Sequence, residues 1–256
     1  MIFTILGCGT STGVPLIQCP CAVCQSSDPK NKRLRASVWI QVQGRSFLID
    51  TSTDLREQAL REGISHVDAV LYTHPHADHI HGIDELRSFN FIQKQSIPVF
   101  GNHWTCRELK AKFSYIFSPA PLSGGGIPQL EMHEFSSTVD HLNVVGIQVT
   151  PIPVIHGNNE CIGYRIGTTA YITDCSSIPE GSFEKLKGIS HLILDCVRIQ
   201  AHDTHFNLEK ALRTVEQIRP QKTYLTHLGH DFDYSEYSRI LPKGVFLAYD
   251  GLRIES

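Results

Sequence analysis

Apolar residues along this chain come in short runs rich in β-branched side chains, and the runs alternate with stretches of helical spacing. Met1-Ile2-Phe3-Thr4-Ile5-Leu6 predicts a first strand that turns at Gly7-Cys8-Gly9. Ser37-Val38-Trp39-Ile40-Gln41-Val42 and Phe47-Leu48-Ile49-Asp50 predict a hairpin turning near Gly44. A helical pattern covers 54–61, and Ala69-Val70-Leu71-Tyr72-Thr73 is the unbroken apolar run of a buried strand. A short strand over 97–100 and a mostly helical stretch over 104–117 follow. Further strands are predicted over 147–151, 162–166, 170–173 and 191–195, then a helix over 208–218. A strand over 223–226, a short helix over 234–240 and a strand over 245–249 close the pattern. Strands lead each half and helices intervene, so the expected class is α/β, with sheets covered by helices. The 256 residues carry no repeat or low-complexity linker, and one domain over 1–256 is expected.

Composition changes little in this picture. Hydrophobic residues make up 41% and charged residues 19%, ordinary values for a folded domain. The net charge of −3 predicts no general attraction to nucleic acid, and no stable nucleic-acid partner is expected. The one dense basic cluster, Lys30-Asn31-Lys32-Arg33-Leu34-Arg35, reads as a solvated loop. The opening residues lack the basic and apolar regions of a secretory signal, and the apolar runs are too short to span a bilayer. A cytoplasmic chain is therefore expected, whose eight cysteines stay reduced, so that close cysteines suggest metal before disulfide.

The chemistry begins at His74-Pro75-His76-Ala77-Asp78-His79, which follows the strand ending at Thr73. Imidazole and carboxylate ligands suit Zn²⁺, Mn²⁺ or Fe²⁺, and four of them in six residues can serve two adjacent metals from one loop. Distant candidates complete the set. His156 follows a strand over 150–154, Asp174 follows 170–173 and His227 follows 223–226. Strand C-terminal ends are where α/β sites gather. The chain has 14 histidines, so isolated ones such as His66, His103, His133, His141 and His191 carry no such weight.

HxHxDH with later His, Asp and His resembles the metallo-β-lactamase superfamily, and the resemblance runs nearly end to end. It implies a four-layer αβ/βα sandwich of two mixed β-sheets flanked by helices. It also implies two divalent metals, Zn or Mn. His74, His76 and His156 would hold the first and Asp78, His79 and His227 the second, with Asp174 as bridge. Asp50 matches the family's first-motif aspartate and would orient the ligand histidines.

Cys19-Pro20-Cys21-Ala22-Val23-Cys24 places three thiols within six residues, the pattern of a structural zinc that needs one more ligand. Cys8 is near in sequence, but His230, three residues after His227, is the better candidate. Together with Gly7-x-Gly9, Gly13-Val14-Pro15, Leu225-Thr226-His227-x-x-His230 and Tyr249-Asp250-Gly251, the knuckle resembles the PhnP branch of cyclic phosphodiesterases. Between these motifs the likeness is one of element order. The branch implies one structural zinc on Cys19, Cys21, Cys24 and His230, and a homodimer is compatible with it.

Two close cations sharing a water bring its pKa toward neutrality and so supply hydroxide at pH 7. The expected reaction is hydrolysis of a small phosphodiester, cyclic and ribose- or nucleotide-like. Catalytic roles are expected for His205, Asp78 and Asp50. His205 precedes a helix, as the family's catalytic histidine does, and His202 is the alternative general acid. The rival readings are a tRNA 3′-processing endonuclease, which would need a basic arm not seen here, and a non-hydrolytic PqqB-like protein of cofactor biosynthesis. Loops over 89–94 and 119–128 are expected to shape the pocket.

Overall fold

The structure, a computed structural model, describes residues 1–118 and 126–256. Residues 119–125, most of the loop expected over 119–128, lie outside the described residues. Strands β1 (Ile2–Gly7), β2 (Ser37–Val42), β3 (Arg45–Ile49), β4 (Ala69–Leu71), β5 (Ile97–Asn102) and β6 (Leu130–Phe135) belong to a first sheet. Helices α1 (Ala22–Gln25), α2 (Leu55–Glu62), α3 (Ala77–Ile80), α4 (Leu86–Gln93), α5 (His103–Lys112) and α6 (Ser114–Phe117) interrupt it. The second sheet holds β7 (Leu142–Val144), β8 (Ile147–His156), β9 (Asn159–Ile166), β10 (Thr169–Ile172), β11 (His191–Asp195), β12 (Lys222–Thr226) and β13 (Val245–Leu247). Helices α7 (Glu180–Leu186), α8 (Leu208–Ile218) and α9 (Tyr234–Ile240) belong to this half, and β14 (Arg253–Glu255) returns to pair with β1.

Both sheets are mixed and share a plan. In the first, β1, β2 and β3 pair antiparallel and β3 to β6 run parallel. In the second, β7 to β10 pair antiparallel and β10 to β13 run parallel. Among the described residues each sheet holds seven strands, and two mixed sheets flanked by helices are what the expected sandwich has.

Period-two alternation explains the layers. Phe3, Ile5, Val38, Ile40, Phe47 and Ile49 enter the core that also holds Ile152, Tyr164, Ile172 and Leu194 of the second sheet. Their alternate neighbours Trp39, Leu48, Val70 and Val99 meet Leu55, Leu86, Phe89 and Leu109 of the helices. The sheet is thus apolar on both faces, which is why 69–73 reads as one unbroken run. Truncating Ile40 to alanine would cost about 2–5 kcal/mol.

The predicted strands and helices recur within a few residues, β7 and α7 were not foreseen, and three further readings change. Residues 89–94 are not a loop: they fall mainly on α4, where Leu86, Phe89 and Asn90 form one buried face. The Asn90 side chain fixes the following turn by bonding the carbonyls of Gln95 and Gln129. Nor is 30–35 a wholly solvated loop. Arg33 is 2% exposed, because its guanidinium donates to the carbonyls of Gly229 (2.9 Å) and Phe232 (2.6 Å) and to Asn31 Oδ1. Finally, β6 and β14 escape the apolar pattern. They are short edge strands in which exposed polar residues interleave with buried or half-buried apolar ones (Leu130, Met132, Phe135, Ile254), and they form through their ladder partners. Among the described residues no helix is long and apolar enough to cross a membrane.

Candidate metal centre

Three residues at one end of the sheets share an uncommon backbone state. Asp50, Asp174 and His227 follow β3, β10 and β12 and have φ of 63°, 51° and 58°. Left-handed backbone is costly for side-chain-bearing residues and concentrates where structure serves a site. Asp174 and His227 belong to the donor cluster, and Asp50 backs one of its histidines.

His74, His76, His156 and Asp174 form one group whose ligand atoms lie within 4.8 Å of one another, and Asp78, His79, Asp174 and His227 form a second. Asp174 belongs to both. The structure thus brings together all seven residues expected at a two-metal site, from both sheets. His79 Nε2 lies 3.2 Å from carboxylate oxygens of both Asp78 and Asp174, and His227 Nε2 lies 3.6 Å from both. Yet these two nitrogens are buried without a hydrogen-bond partner among the described residues. Donor atoms that converge without pairing, drawn from imidazole and carboxylate, fit a divalent cation.

The opposite ring nitrogens of His79 and His156 are held from behind. Asp50 accepts from His79 Nδ1 at 2.7 Å and from the Thr73 amide and hydroxyl at 2.8 Å each. His156 Nδ1 donates to the Thr204 carbonyl at 2.7 Å, which leaves Nε2 for the cleft. Electrostatics follow the same division. Burial, then the positive neighbours His79, His76 and His156, depress His74, despite the opposing Asp174. Burial would depress His79 too, but Asp174, Asp78 and Asp50 hold it well above the ordinary histidine value. The two bridging-side carboxylates, Asp78 and Asp174, lie far below the usual range: burial opposes ionisation, and the surrounding histidines overcome it.

His205 is 9% exposed and stands beside both groups, with Nε2 3.8 Å from Asp174 Oδ1. Its Nδ1 faces Asp195 at 3.2 Å. Asp195 was not singled out in the sequence, although it is fully buried and also lies 3.5 Å from His227 Nδ1. It accepts the amides of Cys175 and Phe206 besides. A signal existed: Leu192-Ile193-Leu194-Asp195 repeats the pattern of Phe47-Leu48-Ile49-Asp50, an apolar strand closed by an aspartate. His202 lies further out, its ring 5.0 Å from that of His205, with Nδ1 accepting the Thr204 amide.

A separate cluster joins Cys19, Cys21, Cys24 and His230. Their sulfurs lie 3.3, 3.5 and 3.6 Å from His230 Nδ1. One tetrahedral zinc would separate a sulfur and a nitrogen ligand by about 3.6 Å. Cys8 is elsewhere, its buried thiol against the Ala248 carbonyl. Gly229 lets the chain run from His227 to His230, since a Cβ there would meet the Val197 carbonyl at 2.7 Å.

Comparison with known proteins bears on this geometry. The profile of the beta-lactamase superfamily domain matches residues 45–228, which include all seven clustered residues. The chain belongs to the metallo-β-lactamase superfamily. Superfamily membership with His/Asp clusters of this kind makes it a metallohydrolase by fold. It is similar to the crystal structure of a diphosphatase from the PhnP family, at 45% identity and a TM-score of 0.91, covering 100% of this chain and 97% of that one. Zinc-bound PqqB from Methylobacterium extorquens shares the fold at 19% identity and a TM-score of 0.81, covering 100% of both chains. The short form of human tRNase Z shares it at 17% and 0.70, over 100% of this chain and 99% of that one. An octanoyltransferase of Porphyromonas gingivalis (strain ATCC BAA-308 / W83) is 36% identical over 251 residues, 97% of this chain. The chain spans about half (50%) of the length of that curated relative.

Proposed function

We propose that this chain is a dinuclear metal-dependent phosphodiesterase acting on a small, cyclic, ribose- or nucleotide-like ester. The observation that carries the reading is the pair of four-residue donor groups sharing Asp174, with His205 beside them. His74, His76, His156 and Asp174 would hold one divalent cation, and Asp78, His79, His227 and Asp174 the other. Zinc and manganese both suit this donor set. Cys19, Cys21, Cys24 and His230 would hold a structural zinc. When bound, the cation pair supplies an activated water at neutral pH and positive charge against the phosphate oxygens.

The chain's own groups supply the rest. Asp195 faces His205 Nδ1 at 3.2 Å, so it fixes the orientation of the ring. His205 Nε2 then faces the cleft and hands its proton to the departing oxygen. Asp50 keeps His79 Nδ1 protonated and Nε2 directed inward.

Similarity to a diphosphatase at 45% identity favours one second reading, a phosphoanhydride in place of the diester. An acyl-transfer reading, from the octanoyltransferase relative, gains nothing from the site. Cys161 and Cys175 are buried, and burial pushes both thiols up, away from the reactive thiolate. Metal analysis with assays on bis-p-nitrophenyl phosphate, a 2′,3′-cyclic nucleotide and a nucleoside diphosphate tests the proposal. About three metals per chain and metal-dependent diester turnover are expected. Turnover of the diphosphate alone selects the second reading, and about two metals with no turnover overturns both.

A further inference from the structure

A cavity of about 570 Å³ opens beside the first donor group, lined by Trp104, Glu134, Asn158, Asn159 and Glu160. Two connections tie it to the cleft. The Trp104 ring stands edge-on to that of His76, with centroids 6.2 Å apart at 89°. Asn158 lies on the turn that directly follows His156, and Asn159 opens β9 and pairs with His156 across the hairpin. The walls therefore continue those of the metal centre.

The charge of this cavity decides what it does not take. Two carboxylates, Glu134 and Glu160, line it, and among the described residues no lysine or arginine does. His103, on the same rim, is 2.7 Å from Glu134. Such a lining repels phosphate, which belongs at the cations, and leaves the cavity to the neutral part of a substrate. Trp104 is half-buried against the main core, so it is a fixed ring instead of a mobile one. The Asn158 and Asn159 amides are exposed and have no hydrogen-bond partner among the described residues. Each offers both a donor and an acceptor. A flat aromatic wall with free amides matches the face and edge of a planar heterocycle.

We propose that this cavity is a nucleobase subsite, with Trp104 as stacking platform and Asn158 and Asn159 as edge contacts. The inference rests on the phosphoester reading above and names the substrate class as a nucleotide. The ribose then lies between base and phosphate, near His76. A base-free sugar phosphate would leave Trp104 uncovered.

The test compares 2′,3′-cyclic AMP with a base-free methyl riboside 2,3-cyclic phosphate on the metal-loaded protein. Trp104→Ala is expected to lower kcat/KM for cyclic AMP by about tenfold to a hundredfold, mainly through KM. Trp104→Phe restores most of it, and the base-free ester changes less than about twofold. Equal losses on both esters, or none on either, overturn the subsite. A second measurement is independent of turnover. The chain has two tryptophans, so Trp39→Phe leaves Trp104 as the sole tryptophan reporter. Saturable quenching of the zinc-loaded variant by 3′-AMP, and none by ribose 5-phosphate, is expected. Absent quenching overturns the proposal. Quenching without turnover of any phosphoester rejects the phosphodiesterase reading while keeping the base-binding cavity.

Discussion

The two candidate metal regions are built in opposite ways. The His/Asp centre draws seven residues from 74 to 227, placed on the loop and short helix α3 after β4 and at the ends of β8, β10 and β12. His74, His79, Asp174 and His227 are buried, and hydrogen bonds behind the rings fix several of them. The knuckle draws three residues from one six-residue run and adds His230. Its surroundings are a core of Val14, Val23 and Cys24 with few partners. A scaffold with dozens of buried apolar residues can arrange the first centre by itself, whereas the proposed structural zinc would hold the second in shape. One loop, 227–230, serves both, held by the Leu228 amide on the Cys8 carbonyl (2.7 Å) and by Arg33 on Gly229.

Removing the shared carboxylate breaks the comparison hardest. Asp174→Ala should empty both positions of the His/Asp centre and lower turnover more than about 1000-fold, because water loses its activation. Metal content by mass spectrometry should retain the knuckle's equivalent, and loss of all metal would show that the regions do not stand apart. His205→Ala should keep the full metal content and still lose about 10²–10⁴ of turnover. Unchanged turnover would reject its role as acid.

Cys21→Ser should act on the other region. The expected loss is about one metal equivalent and several degrees of thermal stability, with turnover of folded protein within about threefold. A collapse of turnover would mean that the 227–230 loop transmits the damage. The smallest effect concerns Asp250, a metal-free staple that accepts the amides of Cys8 (3.0 Å) and Leu34 (2.8 Å). Burial pushes its carboxyl up to about 6, against the pull of those amides and Arg61. A folded pKa above the unfolded one gives stability that is complete below about pH 4 and lost as pH rises through about 6. Relative to Asp250→Asn, the protein should lose about 2–3 kcal/mol between about pH 4 and about pH 7, measurable by urea unfolding. A flat difference would show the carboxylate to be paid for by its hydrogen bonds at every pH.

Much of this was legible in one dimension. The HxHxDH run and the Cys19–Cys24 run announce themselves because close ligand spacing is rare by accident. His156, Asp174 and His227 could be picked from 14 histidines and many aspartates because each follows an apolar strand. Asp195 obeyed the same rule and was passed over, since a carboxylate that only supports other groups, here two histidine rings and two backbone amides, leaves no motif. Arg33 misled for a related reason. A basic run looks solvated until carbonyls 196 and 199 residues away surround one of its members.

The sequence by itself determined the donor chemistry, the strands that carry it and the family resemblance, because these depend on residue type and short-range spacing. The tertiary structure brought the two donor groups around Asp174 and the thiols to His230 as the resemblance implied, and it alone decided that Asp195 backs His205 and that Trp104 and the hairpin after His156 wall one cavity. Those are distances between residues far apart in the chain, fixed by the packing of two sheets, and no local pattern encodes them.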